Sequence, residues 1–357
     1  MGKQDVGDLE IIRQNLEAWL GERLDSPEGF TLGELNFPEA SGESSVTLIF
    51  TAYWQDANKK VEKQFVMRMA PKNSQVFVSH DLYLQYHLME IMHLEGIPAP
   101  DLVGYEKDDT MMGSDFYIMH FVDGVIPPDN PPMCWGSWVS ELSADERASM
   151  WKNGLETMAK IHQIDIDKYD FPNLPRSAAN EPPAAYEIAR YEGMLELGMR
   201  PNADPIILEA WDYLKKNMPA TGSRRLCWGD SRPGNVIWKD LVPVAMIDWE
   251  NAGIGDPLTD LAWWFWVDHC NSVGLGAEKM TGVPDYNEAY EHWHKITGLP
   301  IDDIAYYELF VLVRFSIIME RKLVHMVADD PNFAEMESHP VKFIKPLMDI
   351  CKAKQAV

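Results

Sequence analysis

Basic residues are scarce in this chain. Its 357 residues hold 31 Lys and Arg against 56 Asp and Glu, a formal charge of −25 at neutral pH. A nucleic-acid binder normally carries a Lys/Arg stripe that neutralises phosphates, and no such stripe is present, so that class of partner is excluded. The densest basic stretch, Lys59, Lys60 and Lys63, is interrupted by Glu62 and reads as the solvated end of a hairpin. Any phosphate must therefore be met locally, by backbone N–H groups, a single cation or a metal. Cysteines are few as well. Cys134, Cys227, Cys270 and Cys351 lie far apart, with no Cys-x-x-Cys pair and no His spacing of a zinc site. A disulfide-stapled scaffold is excluded, and a reducing compartment is expected.

Long apolar runs are missing too. Residues 261–267 and 309–319, the latter interrupted by Arg314, fall short of the ~20 residues that a membrane span needs. The stretch from Met1 to Glu10 is polar and acidic, without the apolar centre of a secretory signal. Together these absences lead to the expectation of a cytoplasmic protein with no membrane partner. There is no internal repeat and no low-complexity segment.

What is present is an ordinary globular composition, 46% hydrophobic, over a length that suits two compact units. Leu9, Ile12, Leu16, Trp19 and Leu20 recur at helical spacing. Between residues 31 and 69 the pattern turns to strands: a Gly-containing turn at 40–45, a β-branched and aromatic run at 46–53, a polar turn at 56–60 and a second strand at 61–69. A helix is expected from about 79 to 93 and strands at 102–106 and 116–121. The Pro-rich run 126–133 then marks a boundary. We place the units at 1–122 and 123–357. In the second, Ser143 and Glu146 form a capping box that opens a helix running to about His162. Further helices are expected at 183–197, 204–217, 256–269, 286–296 and 304–327, interrupted by one β interlude at 226–248. The fold class is therefore α+β, with a small β-rich N-terminal lobe, a large mainly helical C-terminal lobe and a cleft for a ligand.

The informative stretch is 226–238, Leu-Cys-Trp-Gly-Asp-Ser-Arg-Pro-Gly-Asn-Val-Ile-Trp, followed at 244–250 by Val-Ala-Met-Ile-Asp-Trp-Glu. Asp230 and Asn235 lie in a polar loop before a hairpin, and Asp248 follows it. A turn rich in Asp, Pro, Gly and Asn needs no chemistry to explain it. Three oxygen-bearing side chains at one end of a hairpin nevertheless suit phosphoryl transfer. Magnesium is a hard cation, satisfied by one or two protein carboxylates with phosphates and water. The interval from Asp230 to Asn235 equals that of the kinase catalytic loop, where the Asp receives a hydroxyl proton and the Asn holds metal. The loose phosphoryl transition state asks only that a carboxylate orient the hydroxyl and take its proton late.

From about Gly33 to Trp266 the sequence resembles the aminoglycoside phosphotransferase and choline kinase-like family, small-molecule kinases with a bilobal protein kinase-like fold. Within it the nearest likeness is to the kinase domains that accompany acyl-CoA dehydrogenases. The resemblance is carried by Ser-Gly-Glu-Ser-Ser-Val-Thr at 41–47, Phe-Val-Met-Arg at 65–68, the stretch 113–124, the 229–235 loop, Ile-Asp-Trp-Glu at 247–250 and Gly-Asp-Pro-Leu-Thr-Asp-Leu at 255–261. It implies an ATP- and Mg²⁺-dependent phosphotransferase acting on a hydroxyl of a small molecule: a hydroxyacyl thioester, a hydroxy acid, an aminosugar or a similar alcohol. By position, Asp230 would be the catalytic base and Asn235 and Asp248 the magnesium ligands. Ser44 and Ser45 would lie over the phosphates, and backbone groups from His120 to Val122 would bind adenine. Arg68 would replace the usual Lys on the phosphates, with Gln85 where a Glu normally pairs with that cation, and Trp228 where a His precedes Gly-Asp. Those last departures motivate an alternative from another class, a nucleotide-binding pseudokinase that transfers nothing. Asp256, Pro257 and Asp260 read as helix-start residues, His162 as a core histidine and Trp263, Trp264 and Trp266 as core or acceptor-pocket residues. His87, Glu90 and His93, like His292 and His294, lack a metal-motif spacing.

Overall fold

The structure, a computed structural model, describes residues 8–25, 27–38, 45–57, 59–70 and 81–355. Chain contacts divide it into two units, one running to Gly124 and including Val244–Glu250, the other comprising Val125–Pro243 and Asn251 onward.

The first unit is built on β-branched and aromatic alternation. Helix α1 (Leu9–Arg23) is followed by β1 (Thr31–Leu32), β2 (Val46–Asp56) and β3 (Lys59–Met69), then α2 (Leu82–Leu94), β4 (Leu102–Glu106) and β5 (Phe116–His120). The five strands form one sheet in the order β1-β2-β3-β5-β4, antiparallel at every pairing. In β2, Val46, Leu48, Phe50 and Ala52 are buried while the intervening residues are less so, the period of two that a half-covered strand requires. They pack with Phe65, Met67 and Phe116 against Ile12, Leu16, Trp19 and Leu20 of α1, and Trp19 and Phe116 stand 5.1 Å apart between ring centroids. Each such buried side chain contributes roughly 1.5–3 kcal/mol. Helix α2 starts where Asp81 accepts a bond from the Leu84 N–H at 2.8 Å. The expected start near 79 and the turn at 40–45 lie almost wholly outside the described residues.

The second unit contains α3 (Trp138–Glu141), α4 (Ala144–His162), α5 (Ala185–Glu196), α6 (Ile206–Lys216), β6 (Arg225–Cys227), β7 (Val236–Lys239), β8 (Val242–Met246), β9 (Gly253–Gly255), α7 (Leu258–Ser272), α8 (Tyr286–Thr297), α9 (Ile304–Asp329) and α10 (Val341–Gln355). The last residues of β8 group with the first unit. Strands β7 and β8 form a hairpin whose turn residues Asp240 and Leu241 have φ of 50° and 63°, the left-handed pair of a type I′ turn. The capping box before α4 is closed in both directions: Ser143 N–H donates to Glu146 at 2.8 Å and Glu146 N–H to the Ser143 hydroxyl at 3.3 Å. The core is organised on α9, which is apolar on most of its circumference and packs against α5, α6, α7 and α10.

The expected α+β class holds. Four short or interrupted elements escape the sequence pattern. Strands β1 and β9 are too short to show alternation, α3 has one turn, and α10 carries Pro346, which reads as a breaker. Among the described residues no helix is long and apolar enough to cross a membrane.

Candidate active site

In the second unit, strand β6 runs into the 229–235 loop through a residue that must be glycine. Gly229 has φ of +90°, and a Cβ there would stand 2.0 Å from the Asn251 carbonyl oxygen. The loop is then pinned by one carboxylate. Asp260, fully buried one turn into α7, accepts the N–H of Trp228 at 2.6 Å and of Gly229 at 2.8 Å, and its own carbonyl takes the Ser231 hydroxyl at 2.8 Å. His162 approaches the same carboxylate at 3.1 Å. Trp293 Nε1, which can only donate, lies 3.1 Å from His162 Nδ1, so Nδ1 accepts and the proton on Nε2 faces Asp260. The helix-start reading of Asp260 therefore understated it: its carboxylate carries the loop. Trp228, which stands where the family has a His, is fully buried.

Asp230 emerges from this loop with both carboxylate oxygens engaged. Trp263 Nε1 donates to Oδ1 at 2.7 Å, Asn235 Nδ2 to Oδ2 at 2.7 Å, and Arg232 Nε reaches Oδ2 at 3.3 Å. Burial pushes the carboxyl up, but the Arg232 and Arg314 guanidiniums and the bonds from Trp263 and Asn235 outweigh it and hold the group below its ordinary value. Asp230 is thus an ionised carboxylate at neutral pH, aimed by three donors. Asn235 is 4% exposed. Its amide nitrogen is committed to Asp230, which leaves the carbonyl oxygen as the atom that suits a cation.

Behind Asp230 stands Arg314 of α9, 2% exposed, which no local pattern announced. Its Nη2 donates to the Gly229 carbonyl at 2.5 Å, and its guanidinium lies 4.0 Å from the centroid of the Trp263 ring and 3.7 Å from Glu187. One buried cation thus touches the backbone before Asp230 and the indole that orients it. Trp263, read as core or pocket, bonds the site carboxylate directly.

The remaining described candidates are in the first unit. Arg68 sits in the sheet interior, paired with Thr47 on β2 and Tyr117 on β5. It donates to the Ser45 hydroxyl and lies 3.8 Å from Asp248 Oδ1. Burial lowers the Arg68 pKa, but Tyr117, Asp248 and Glu250 more than compensate, so it stays charged. Gln85 does not supply the missing counter-charge. It is buried and its Oε1 accepts from the Tyr117 hydroxyl at 3.4 Å, while Asp248 faces the guanidinium. Asp248 itself has φ of +64°, a left-handed conformation that costs an L-residue roughly 1–2 kcal/mol and that Asp tolerates better than most. Ser44 lies outside the described residues. His120 N–H is bonded to the Asp101 carbonyl at 2.8 Å and Phe121 N–H to Gln64 at 3.1 Å. Strand β5 ends at His120, and Val122 lies beyond it.

The structure therefore brings Asp230 together with Asn235, and Arg68 together with Ser45 and Asp248. The Asn235 amide oxygen, in the second unit, and the Asp248 carboxylate, in the first, are each oxygen donors of the kind that suits magnesium rather than zinc. Among the described residues no group of three His, Cys, Asp or Glu side chains is placed to hold a metal alone. The helical histidines are engaged elsewhere, His87 with Glu90 at 3.2 Å and His292 with Glu156 at 2.8 Å.

The profile of the phosphotransferase enzyme family matches residues 49–299. Acyl-CoA dehydrogenase family member 11 of Pongo abelii is 23% identical over 312 residues, covering 84% of this chain but 38% of that protein, so the chain spans well under half the length of this relative. Among solved structures, a Ralstonia eutropha protein classed as an aminoglycoside phosphotransferase superposes with a TM-score of 0.68 at 21% identity, over 94% of this chain and 95% of that one. A thermostable aminoglycoside phosphotransferase mutant, solved as a ternary complex with ADP and hygromycin B, gives 0.57 at 16% identity, over 93% and 98%. These likenesses establish a kinase-like fold.

Proposed function

As the chain belongs to the phosphotransferase enzyme family, we propose that it transfers the γ-phosphoryl group of magnesium-bound ATP to a hydroxyl of a small molecule. The observation that carries this reading is Asp230: a carboxylate kept ionised by Arg232 and Arg314, with Trp263 and Asn235 fixing its direction, in a loop with the kinase Asp-to-Asn interval. That group orients the acceptor hydroxyl and takes its proton as the oxygen–phosphorus bond forms. Arg68 steadies the phosphates, its planar fork and permanent charge serving where a Lys is usual. Ser45, and with it Ser44, caps them. The Val122 N–H and His120 carbonyl form a donor and acceptor pair suited to the edge of an adenine. Asn235 and Asp248 hold the magnesium ion, which when bound neutralises charge on the phosphate oxygens. On this reading the first unit serves the nucleotide and the second the chemistry and the acceptor.

The nucleotide assignment draws on the ADP complex of the structural neighbour, and the acceptor classes on the dehydrogenase-linked and aminoglycoside-modifying relatives. Hydroxyacyl thioesters, hydroxy acids and aminosugars are the first acceptors to assay. The test is an ATP-consumption assay over a panel of such alcohols, run beside calorimetry with ATP and Mg²⁺. Transfer to at least one panel member is expected. Tight nucleotide binding with no transfer to any of them would favour the pseudokinase instead. Asp248→Ala is expected to lower turnover at least a hundredfold, roughly 2.7 kcal/mol at 1.36 kcal/mol per decade, and to abolish the magnesium dependence of ATP binding in the calorimeter. Near-parental turnover of that variant would remove Asp248 from the metal.

A further inference from the structure

A shallow, open pocket lies within the second unit against the 229–235 loop. Three prolines between 127 and 132, with Met133 and Met280, form its apolar side, and Asp129, Gly234 and Asp268 its polar side. Gly234 belongs to the loop itself, and a Cβ there would stand 2.5 Å from Arg232 Nη1 and 3.3 Å from Asp129 Oδ1. The pocket therefore abuts the loop that carries Asp230.

Its polar groups differ in one respect. Asp129 is paired with Arg232 at 2.5 Å, and Arg232 also reaches Asp230 at 3.3 Å, so this cation lies between two carboxylates. Asn271, on the same wall, bonds His339 at 3.0 Å. Asp268 Oδ2, by contrast, is buried and has no hydrogen-bond partner. A buried polar atom left so is unfavourable, and a bound group of matching polarity recovers that cost.

We propose that this pocket seats the phosphate acceptor, and that Asp268 is a specificity-determining residue that hydrogen-bonds an uncharged hydroxyl of the acceptor remote from the one phosphorylated. An anionic end group is disfavoured because Asp129 lines the pocket and the nearby Arg232 is already shared between carboxylates. A cationic one is disfavoured because the Asp268 carboxyl is largely uncharged at neutral pH. Burial pushes it up to about 8, opposed by Arg232 and reinforced by Asp129. A neutral carboxyl offers one donor and one acceptor, the complement of a hydroxyl.

The inference rests on the phosphotransfer reading, and one experiment separates the two. The full chain is assayed at neutral pH with ATP and each of 1,3-propanediol, 3-aminopropanol and 3-hydroxypropionate, alcohols of one length that differ in the remote group, beside the wider alcohol panel. The diol is expected to be the best of the three. Asp268→Leu should raise the KM for the diol about tenfold or more and leave the KM for ATP unchanged, while Asp268→Asn, which keeps a donor and an acceptor, stays within about threefold of the parent. The proposal falls if Asp268→Leu leaves the diol's kcat/KM unchanged, if either 3-aminopropanol or 3-hydroxypropionate is the best of the three, or if the chain phosphorylates other panel alcohols but none of these. Transfer to no alcohol at all overturns the phosphotransfer reading itself, and the acceptor assignment with it.

Discussion

Asp230→Ala is expected to lower phosphoryl-transfer turnover by about a thousandfold, roughly 4 kcal/mol of transition-state stabilisation, while nucleotide binding changes little. The size follows from what the carboxylate does: it is the one carboxylate of the 229–235 loop, kept ionised and aimed by Trp263 and Asn235 at 2.7 Å and Arg232 at 3.3 Å. Alanine removes the proton acceptor but leaves Asp260 holding the backbone of Trp228 and Gly229, so the loop keeps its path. The pH dependence has a definite sign. Because the folded pKa of Asp230 lies below the ordinary value of about 3.9, its ionised form persists across neutral and mildly acid pH, and activity is lost only as pH falls through that depressed value. The same depression contributes stability that is present above the unfolded pKa and is lost on acidification. Single-turnover rates with saturating ATP, compared for the parent and Asp230→Ala, decide the point. A variant that keeps a tenth of parental turnover would show that Asp230 is not the base.

Arg314→Met carries the second large effect, and here stability and activity fall together. Arg314 is buried against Glu187 at 3.7 Å, the Gly229 carbonyl at 2.5 Å and the Trp263 ring. Removing one partner of a buried charge pair typically costs about 3–5 kcal/mol, because the other charge stays behind without compensation. That partner is Glu187, whose carboxyl burial raises to about 7 against the opposing pull of Arg314 and Thr259. A carboxyl with a raised folded pKa gives stability that is fully present below its unfolded pKa of about 4.3 and lost as pH rises through the folded value. Without Arg314 that value rises further, so the variant's deficit should be larger at pH 8 than at pH 5. Urea unfolding at the two pH values measures it, and an equal deficit at both would show that the pair is not the cause. Adding Glu187→Gln should restore much of the stability, because the orphaned charge is gone, but not the turnover, because Trp263 and Gly229 remain unsupported. Recovery of turnover together with stability would reduce Arg314 to a structural residue.

Both predictions concern a site of which the chain pattern displayed only part. The interval between Asp230 and Asn235 was readable, and the structure makes it a direct bond because five residues of tight turn leave the amide little other reach. The capping box at Ser143 and the β2–β3 hairpin were legible for the same reason, since their partners are neighbours along the chain or fall at a regular period. Gln85 misled: its place suggested a weakened partner for Arg68, yet it meets Tyr117, and Asp248 faces the guanidinium. Asp260 and Trp263 read as a helix-start group and a core or pocket ring, and both hold the loop.

The amino-acid order by itself thus determined the α+β class and the Asp230-to-Asn235 interval, through apolar periodicity and local hydrogen-bonding geometry, while its motifs carried the resemblance to the family. The tertiary structure alone decided which groups orient and charge Asp230. Trp263 reaches it from 33 residues away, and Arg314 meets Gly229 from 85 residues away. Such contacts arise only when close packing brings α7 and α9 behind the loop, and a buried cation amid apolar helix residues has no period that could announce it.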